Sequence, residues 1–258
     1  MAFSGLDPTG GAGLAADIEA IASLGGHGLP VVTAITIRDT REVKVVSPVA
    51  AADLIGQARA VLDDIPVAAF KVGFLGSVAA IEAVHTIVLE HPDVPLVLDP
   101  AGATGVEDPL ADDDQPEALT SLLLPHARIA TPSLAEARAL APEADSPGAM
   151  AQQVLSYGCE YVLLTGAGAA TSEVENWLYG GSRLVERFRW ERLPGQFQGA
   201  GCTLTSALAT LLAHGIDVCT AAHQAQQYTW TALANAWQIG HGRRIPDRLH
   251  WAGDGNGE

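Results

Sequence analysis

The sequence predicts a single α/β domain built on a mainly parallel sheet, with helices on both faces. Three observations predict it. Of the 258 residues, 48% are hydrophobic and only 17% are charged, enough to bury one large core. Short apolar runs bounded by Gly, Pro and Asp recur along the chain, and their continuous hydrophobicity is what strands buried on both faces require. Between them lie stretches with helical spacing, and strand alternating with helix gives a parallel sheet.

The elements follow in order. GLDPTGGAGLAAD (5–17) is a glycine-rich turn opening a helix over 13–26, and LPVVTAITI (29–37) is a strand. The spacing predicts a helix over 48–65, strands over 67–75, 94–100 and 127–132, a helix over 133–141 and a strand over 160–166. VENWLYGGSRLVERFRW then reads as two strands joined at Gly180-Gly181, an antiparallel edge hairpin. In QGAGCTLTSALATLLAHG (198–215), Leu204, Ala207, Leu208, Leu211 and Leu212 recur every three or four residues, so a helix with one apolar side follows Cys202, and Gly215 stops it. EDPLADDDQPE (107–117) is expected to be a solvated loop or lid. No repeat or linker divides the chain, which gives one domain over 1–252 and a frayed tail over 253–258.

The formal charge of −16 excludes nucleic acid and anionic membrane as natural partners, since both would repel the protein. Three scattered cysteines (Cys159, Cys202, Cys219) make neither a disulfide framework nor a CxxC metal pair and fit a reducing cytoplasm. The chain opens without a basic-then-apolar leader and has no run of eighteen apolar residues. A small-molecule ligand is the expected partner.

Two glycine-rich turns carry the chemistry. Gly11 to Ala16 formally fits G-x-G-x-x-A, but Asp7-Pro8-Thr9 separates it from any strand, so a turn letting a ligand approach the backbone is the alternative. Asp17 either faces that ligand or favours the helix N-terminus by its charge. Gly199-Ala200-Gly201 opening a helix leaves N–H groups free for an anion without any lysine. Cys202, in the first turn, is expected to have its thiol pKa lowered by the same field. Such a site serves acyl transfer, with Cys202 as nucleophile and one of His214, His223, His241 or His250 as base, or phosphoryl transfer, with Cys202 taking the acceptor's proton. A Walker-A motif is absent. Asp99, ending a strand, and Glu136, beyond another, fall near the sheet's carboxyl edge, where magnesium needs one or two carboxylates. Ser133 and Glu136 also have capping-box spacing.

GLDPTGGAGLAADIEAIASLGGHG, TAITIRDTREV, KVGFLG, Asp99-Pro100, TPSLAEA, QGAGCTLTSALA and IGHGRRIPDRLH occur in the order found in hydroxymethylpyrimidine and phosphomethylpyrimidine kinases of the ribokinase-like superfamily, which the chain resembles from about residue 3 to 251. The resemblance implies a ribokinase-like three-layer sandwich, a homodimer, and phosphorylation by ATP and Mg2+ of 4-amino-5-hydroxymethyl-2-methylpyrimidine, its monophosphate, or both, in thiamine biosynthesis. It implies that Gly199, Ala200, Gly201 and Cys202 form the anion hole, with Cys202 as base. It places Gly5, Asp17, Arg38 and Phe74 at the pyrimidine, and Asp99, Glu136, Thr165 and Gly166 at the nucleotide. Asp99 and Glu136 would hold magnesium through water.

The chain departs from the family pattern at four points. Arg38-Asp39 replaces Gln-Asn, and arginine only donates where glutamine also accepts. Thr165-Gly166-Ala167 replaces lysine-glycine-glycine, Ser133 an asparagine, and Gln198 a histidine. Pyridoxal kinases also lack that lysine, so a vitamin B6 kinase and a catalytically weak pyrimidine-binding protein are the rival readings.

Overall fold

The computed structural model describes residues 1–102, 114–168 and 172–252. The acidic loop (107–117) therefore falls mostly outside the described residues, as does the tail over 253–258.

Nine strands form one sheet in the order β3-β2-β1-β4-β5-β6-β7-β8-β9. The six central ones, β2 (Pro30–Arg38), β1 (Ala2–Leu6), β4 (Phe70–Val72), β5 (Leu96–Leu98), β6 (Ala127–Ala130) and β7 (Tyr161–Leu164), run parallel. The hairpin β8 (Glu173–Gly180) and β9 (Arg183–Glu191) closes one edge antiparallel, turning where Gly180-Gly181 predicts. The other edge carries β3 (Val43–Pro48), antiparallel to β2. Its six residues, mostly solvent-facing, lack an apolar run to mark them.

Alternation along each strand builds the two outer layers. Leu96, Leu98, Val162 and Leu164 face a core shared with α2 (Ala51–Leu62), α3 (Val78–Glu90), α5 (Leu134–Leu140) and α6 (Pro147–Ser156). Val97, Ile129 and Leu163 face the opposite core, against α7 (Ala200–Ala213) and α8 (Val218–Ala234). Helix α1 (Gly13–Ser23) lies on that same side, packed on α7; α4 (Gln115–Ala118) is a single turn. The result is the three-layer α/β sandwich expected. Its parallel strands all end at one edge, where β2 ends in Arg38 and the loops leaving the other strands carry Asp7, Phe74, Asp99, Ser133 and Thr165.

Candidate active site

A trough of about 360 Å3 crosses the carboxyl edge of the sheet, lined by Asp99, Ser133, Glu136, Thr165, Gln198, Gly199, Gly201 and Cys202. At one end, sharing Ala12, Arg38, Ala101 and Cys202, it opens into a small recess under Phe74. At the other end, sharing Leu204, it meets an apolar groove of about 250 Å3 walled by Trp190, Phe197, Trp230 and Leu233. Cys202 thus stands where recess and trough join.

The start of α7 has the form of an anion cradle. Gly199 caps the helix with φ +80°, and the first intrahelical bond runs from the Thr203 N–H to the Gly199 carbonyl at 2.9 Å. The amides of Ala200, Gly201 and Cys202 precede that bond, so they and the positive end of the helix dipole point outward. Only glycine fits at 199, because a Cβ there would lie 1.8 Å from the Gly11 carbonyl oxygen. The two glycine turns are therefore in backbone contact. Gly13, at φ +60°, abuts the Gly5 carbonyl in the same way, a backbone packing that accounts for the glycines without a dinucleotide fingerprint.

Cys202 differs from expectation. Burial pushes its thiol up to about 12; Lys71 pulls it down, while Asp17 and Asp99 push it up and the Gly13 N–H pulls it down again. Desolvation outweighs the helix-terminus field, so the resting group is a thiol rather than a thiolate. One side of the residue stays open to the trough, where water moderates that cost.

Asp17 is also corrected. It does not line the recess but lies fully buried beneath the turn, its carboxylate 2.9 Å from Lys71 Nζ and accepting a hydrogen bond from Ser206 Oγ at 2.8 Å. Burial alone would lower the Lys71 ammonium pKa, yet the charges of Asp17, Cys202 and Asp99 raise it overall. Sequence reasoning missed Lys71 as a site residue.

Gly5, Arg38 and Phe74 line the recess together, and Asp7 joins them. A Cβ at Gly5 would press on the Phe74 ring at 3.2 Å. The Asp7 carboxylate organises the first turn: it accepts from the amides of Thr9 at 2.8 Å and Ala12 at 2.9 Å, and from Gln198 Nε2 at 2.6 Å. Arg38 Nε lies 3.8 Å from Asp7, an ion pair too long for a hydrogen bond, and this buried donor has no hydrogen-bond partner among the described residues. Gln198 Oε1, also buried, is an acceptor in the same state. Unsatisfied buried polar atoms are costly, and two of them beside one trough mark where a ligand's polar groups belong.

Of the four residues expected at a nucleotide, Asp99, Glu136 and Thr165 line the trough, whereas Gly166 does not, its N–H being donated to Asn176 Oδ1 at 2.9 Å. Ser133 and Glu136 form the capping box, with Glu136 Oε2 accepting from the Ser133 N–H at 2.7 Å, which leaves the other carboxylate oxygen for a second task. A Cβ on Gly201 would lie 3.5 Å from Asp99 Oδ2, so a carboxylate adjoins the anion cradle. That pairing is repulsive for an anionic ligand unless a cation lies between, and Asp99 with Glu136 suits magnesium held through water. Among the described residues no cluster of three or more His, Cys, Asp or Glu could cage a metal directly.

No histidine lines the trough or recess among the described residues. His214 and His250 bond to backbone carbonyls, and His223 packs on Phe188 and Trp190. Cys202 therefore has no imidazole base, and the hydrolase reading falls.

Comparison with known proteins shows the family. A model of the phosphomethylpyrimidine kinase family matches residues 7–247. The chain is 34% identical to the hydroxymethylpyrimidine/phosphomethylpyrimidine kinase of Streptomyces coelicolor, over 94% of this chain and 91% of that one. It is 32% identical to the Escherichia coli enzyme of the same description, over 94% of each. Among solved structures, an ADP complex of Bacillus subtilis pyridoxal kinase superposes with a TM-score of 0.87 at 26% identity, covering 97% of both chains. A phosphomethylpyrimidine kinase from Clostridium difficile superposes with a TM-score of 0.75 at 27% identity, covering 90% of this chain and 97% of that one. By this family match and these relatives, the chain is a kinase and belongs to the phosphomethylpyrimidine kinase family.

Proposed function

We propose that the protein transfers the γ-phosphoryl group of ATP to the hydroxymethyl group of 4-amino-5-hydroxymethyl-2-methylpyrimidine and to its monophosphate, a step of thiamine biosynthesis. The observation that carries this reading is the continuous path from the recess, past Cys202 and the cradle, to the apolar groove. The ring would lie in the recess with Phe74 covering it, the adenine in the apolar groove, and the moving phosphoryl group over the amides of Ala200, Gly201 and Cys202.

In the reaction the acceptor oxygen bonds to the γ-phosphorus as the bond from that phosphorus to the ADP oxygen breaks. The hydroxyl proton passes to Cys202 in its thiolate form. The transition state of phosphoryl transfer is loose, so the proton leaves late and positioning carries most of the catalysis. Magnesium, held by Asp99 and Glu136 through water, would supply positive charge to the nucleotide phosphates. Thr165, where the family resemblance implies a lysine, adds no charge, so the helix dipole of α7, Arg38 at the trough wall and the metal would supply the positive charge facing the nucleotide.

Arg38 fits the monophosphate better than the free alcohol. Its unpartnered Nε donates and cannot accept, so a phosphate oxygen suits it and an exocyclic amine does not. Arg38→Gln is expected to lower kcat/KM for the monophosphate by about tenfold, near the worth of one charge-assisted hydrogen bond, and to leave the alcohol nearly unchanged. ADP formation with each acceptor measures it, and an unchanged ratio would reject this role.

The superposition on pyridoxal kinases favours a second reading, a vitamin B6 kinase. ADP production from Mg-ATP with the pyrimidine alcohol, its monophosphate and pyridoxal offered separately decides between them. Turnover of pyridoxal alone would overturn the pyrimidine assignment. Pyrimidine binding with no turnover of any of the three would favour the binding-protein reading.

The protein is proposed to work as a homodimer in the cytoplasm. Ile35 and Ile37 project outward from β2 at 52% and 57% exposure, and Val45, the β3 partner of Ile37, is 40% exposed. An apolar strip on an edge hairpin is a natural self-association surface. Ile37→Glu is expected to shift the sedimentation coefficient to that of a monomer, and a wild-type protein that already sediments as a monomer would reject the dimer. Three free cysteines among the described residues suit a reducing compartment; none of the described helices is long and apolar enough to cross a membrane.

A further inference from the structure

Arg248 lies in the C-terminal arm, far in sequence from both glycine turns, yet its side chain is fully buried between them. Its backbone carbonyl accepts from Tyr228 Oη on α8 at 2.7 Å, which fixes where the side chain starts. The guanidinium then spends its donors on the site's scaffold. Nη2 donates to the Gly11 carbonyl at 2.6 Å, Nη1 to the Gly10 carbonyl at 3.3 Å, and Nε to Thr203 Oγ1 at 2.9 Å. Thr203 Oγ1 in turn donates to the Gly199 carbonyl at 2.8 Å. Nη1 also meets Glu19 on α1 at 2.9 Å.

These bonds fall on the two turns already shown to touch. A Cβ at Gly199 would meet both the Gly11 carbonyl oxygen and Arg248 Nη2, the latter at 2.8 Å, so the guanidinium lies directly behind the cap of the anion cradle. Two carbonyl oxygens, those of Gly11 and Gly199, converge there, and a planar donor fork can hold both turns where a flexible amine could not. Glu19 is half exposed and outside the trough, and its contact with Arg248 touches neither turn.

We propose that Arg248 is a positioning residue for phosphoryl transfer: by bonding Gly10, Gly11 and Thr203 at once, it sets the orientation of the Ala200, Gly201 and Cys202 amides. The inference rests on the reading of that turn as the phosphoryl cradle. It makes the C-terminal arm part of the catalytic apparatus without touching substrate.

Arg248→Met and Arg248→Lys are compared with Thr203→Val, Glu19→Gln and the wild type. The readouts are steady-state kinetics with Mg-ATP and the pyrimidine alcohol, binding of ADP alone, and binding of ADP with aluminium fluoride, a mimic of the moving phosphoryl group. Both Arg248 variants are expected to lose roughly 10²-fold in kcat, the scale of losing one oxyanion-hole donor, with KM for the alcohol changed by less than about threefold. Affinity for ADP with aluminium fluoride should fall with kcat while ADP alone binds as before, and Glu19→Gln should behave as wild type. Lysine failing to rescue separates geometry from charge.

Thr203→Val, which removes one bond of the fork without removing the arginine, keeps the test open if the arginine variants do not fold; it should show the same pattern to a smaller degree. Arg248 variants that fold and keep kcat and aluminium fluoride binding within about threefold of wild type would overturn the proposal, as would a loss confined to KM. If the wild type phosphorylates no pyrimidine while the Arg248 variants still lose aluminium fluoride binding selectively, the substrate assignment fails and the positioning role stands.

Discussion

Cys202→Ala is expected to lower kcat by about 10²–10³-fold, the usual worth of a positioned base, with little change in KM for either substrate. The more telling result concerns pH. Burial holds the Cys202 thiol up near 12, so at neutral pH only a small fraction is thiolate. Below that value the thiolate fraction grows about tenfold with each pH unit. If thiolate accepts the proton, the single-turnover rate of the wild type climbs with pH across 7–9.5 without reaching a plateau. Cys202→Asp should flatten that slope, because a carboxylate is already ionised throughout the range. A wild-type rate that is level over those pH values would mean that the sulfur is not the proton acceptor and that the loose transition state needs none.

This expectation also marks the limit of local reasoning. A cysteine after Gly-Ala-Gly at a helix start was legible as an anion cradle with a reactive group at its mouth, because the dipole and the free amides belong to the segment itself. Its pKa was not, because the desolvation that dominates comes from α1, β4 and β5 packing around it. The parallel strands were legible because strands buried on both faces read as unbroken apolar runs; the β4 and β5 runs overshoot their strands only because apolar residues continue into the loops. Strand β3 was missed since an edge strand with one wet face carries no such run, and its register is set by β2.

Residues that act through tertiary contacts were the least visible. Asp17 was placed correctly on the first helix, but nothing local pairs it with Lys71, 54 positions away. The usable signal was Lys71 itself: a lysine inside the apolar run VAAFKVGFL must either snorkel out or find a buried acid. Arg248 gave less, since PDRLH reads as an ordinary polar terminus until the fold brings it against Gly11.

The Lys71–Asp17 pair carries the largest stability prediction. Both side chains are essentially without solvent contact, at 1% and 0% exposure. Lys71→Met would leave the Asp17 carboxylate in the interior with Ser206 Oγ still donating to it. Breaking a buried pair from one side costs about 3–5 kcal/mol, and in a chain of this size that corresponds to a fall in Tm of roughly 10 °C. Removing both charges, as in Lys71→Met with Asp17→Leu, should recover more than half of that loss, because an apolar pair of similar volume escapes the desolvation penalty. Thermal unfolding of the two single variants and the double variant measures the coupling, and additive losses would show that the two charges do not depend on each other. The double variant also separates fold from function. Lys71 is the strongest downward pull on the Cys202 thiol and outweighs the upward push of Asp17, so a stable protein lacking the pair should be slower than the wild type at neutral pH. A double variant as active as the wild type would mean that the buried pair serves only the fold, and that the cradle sets the rate without it.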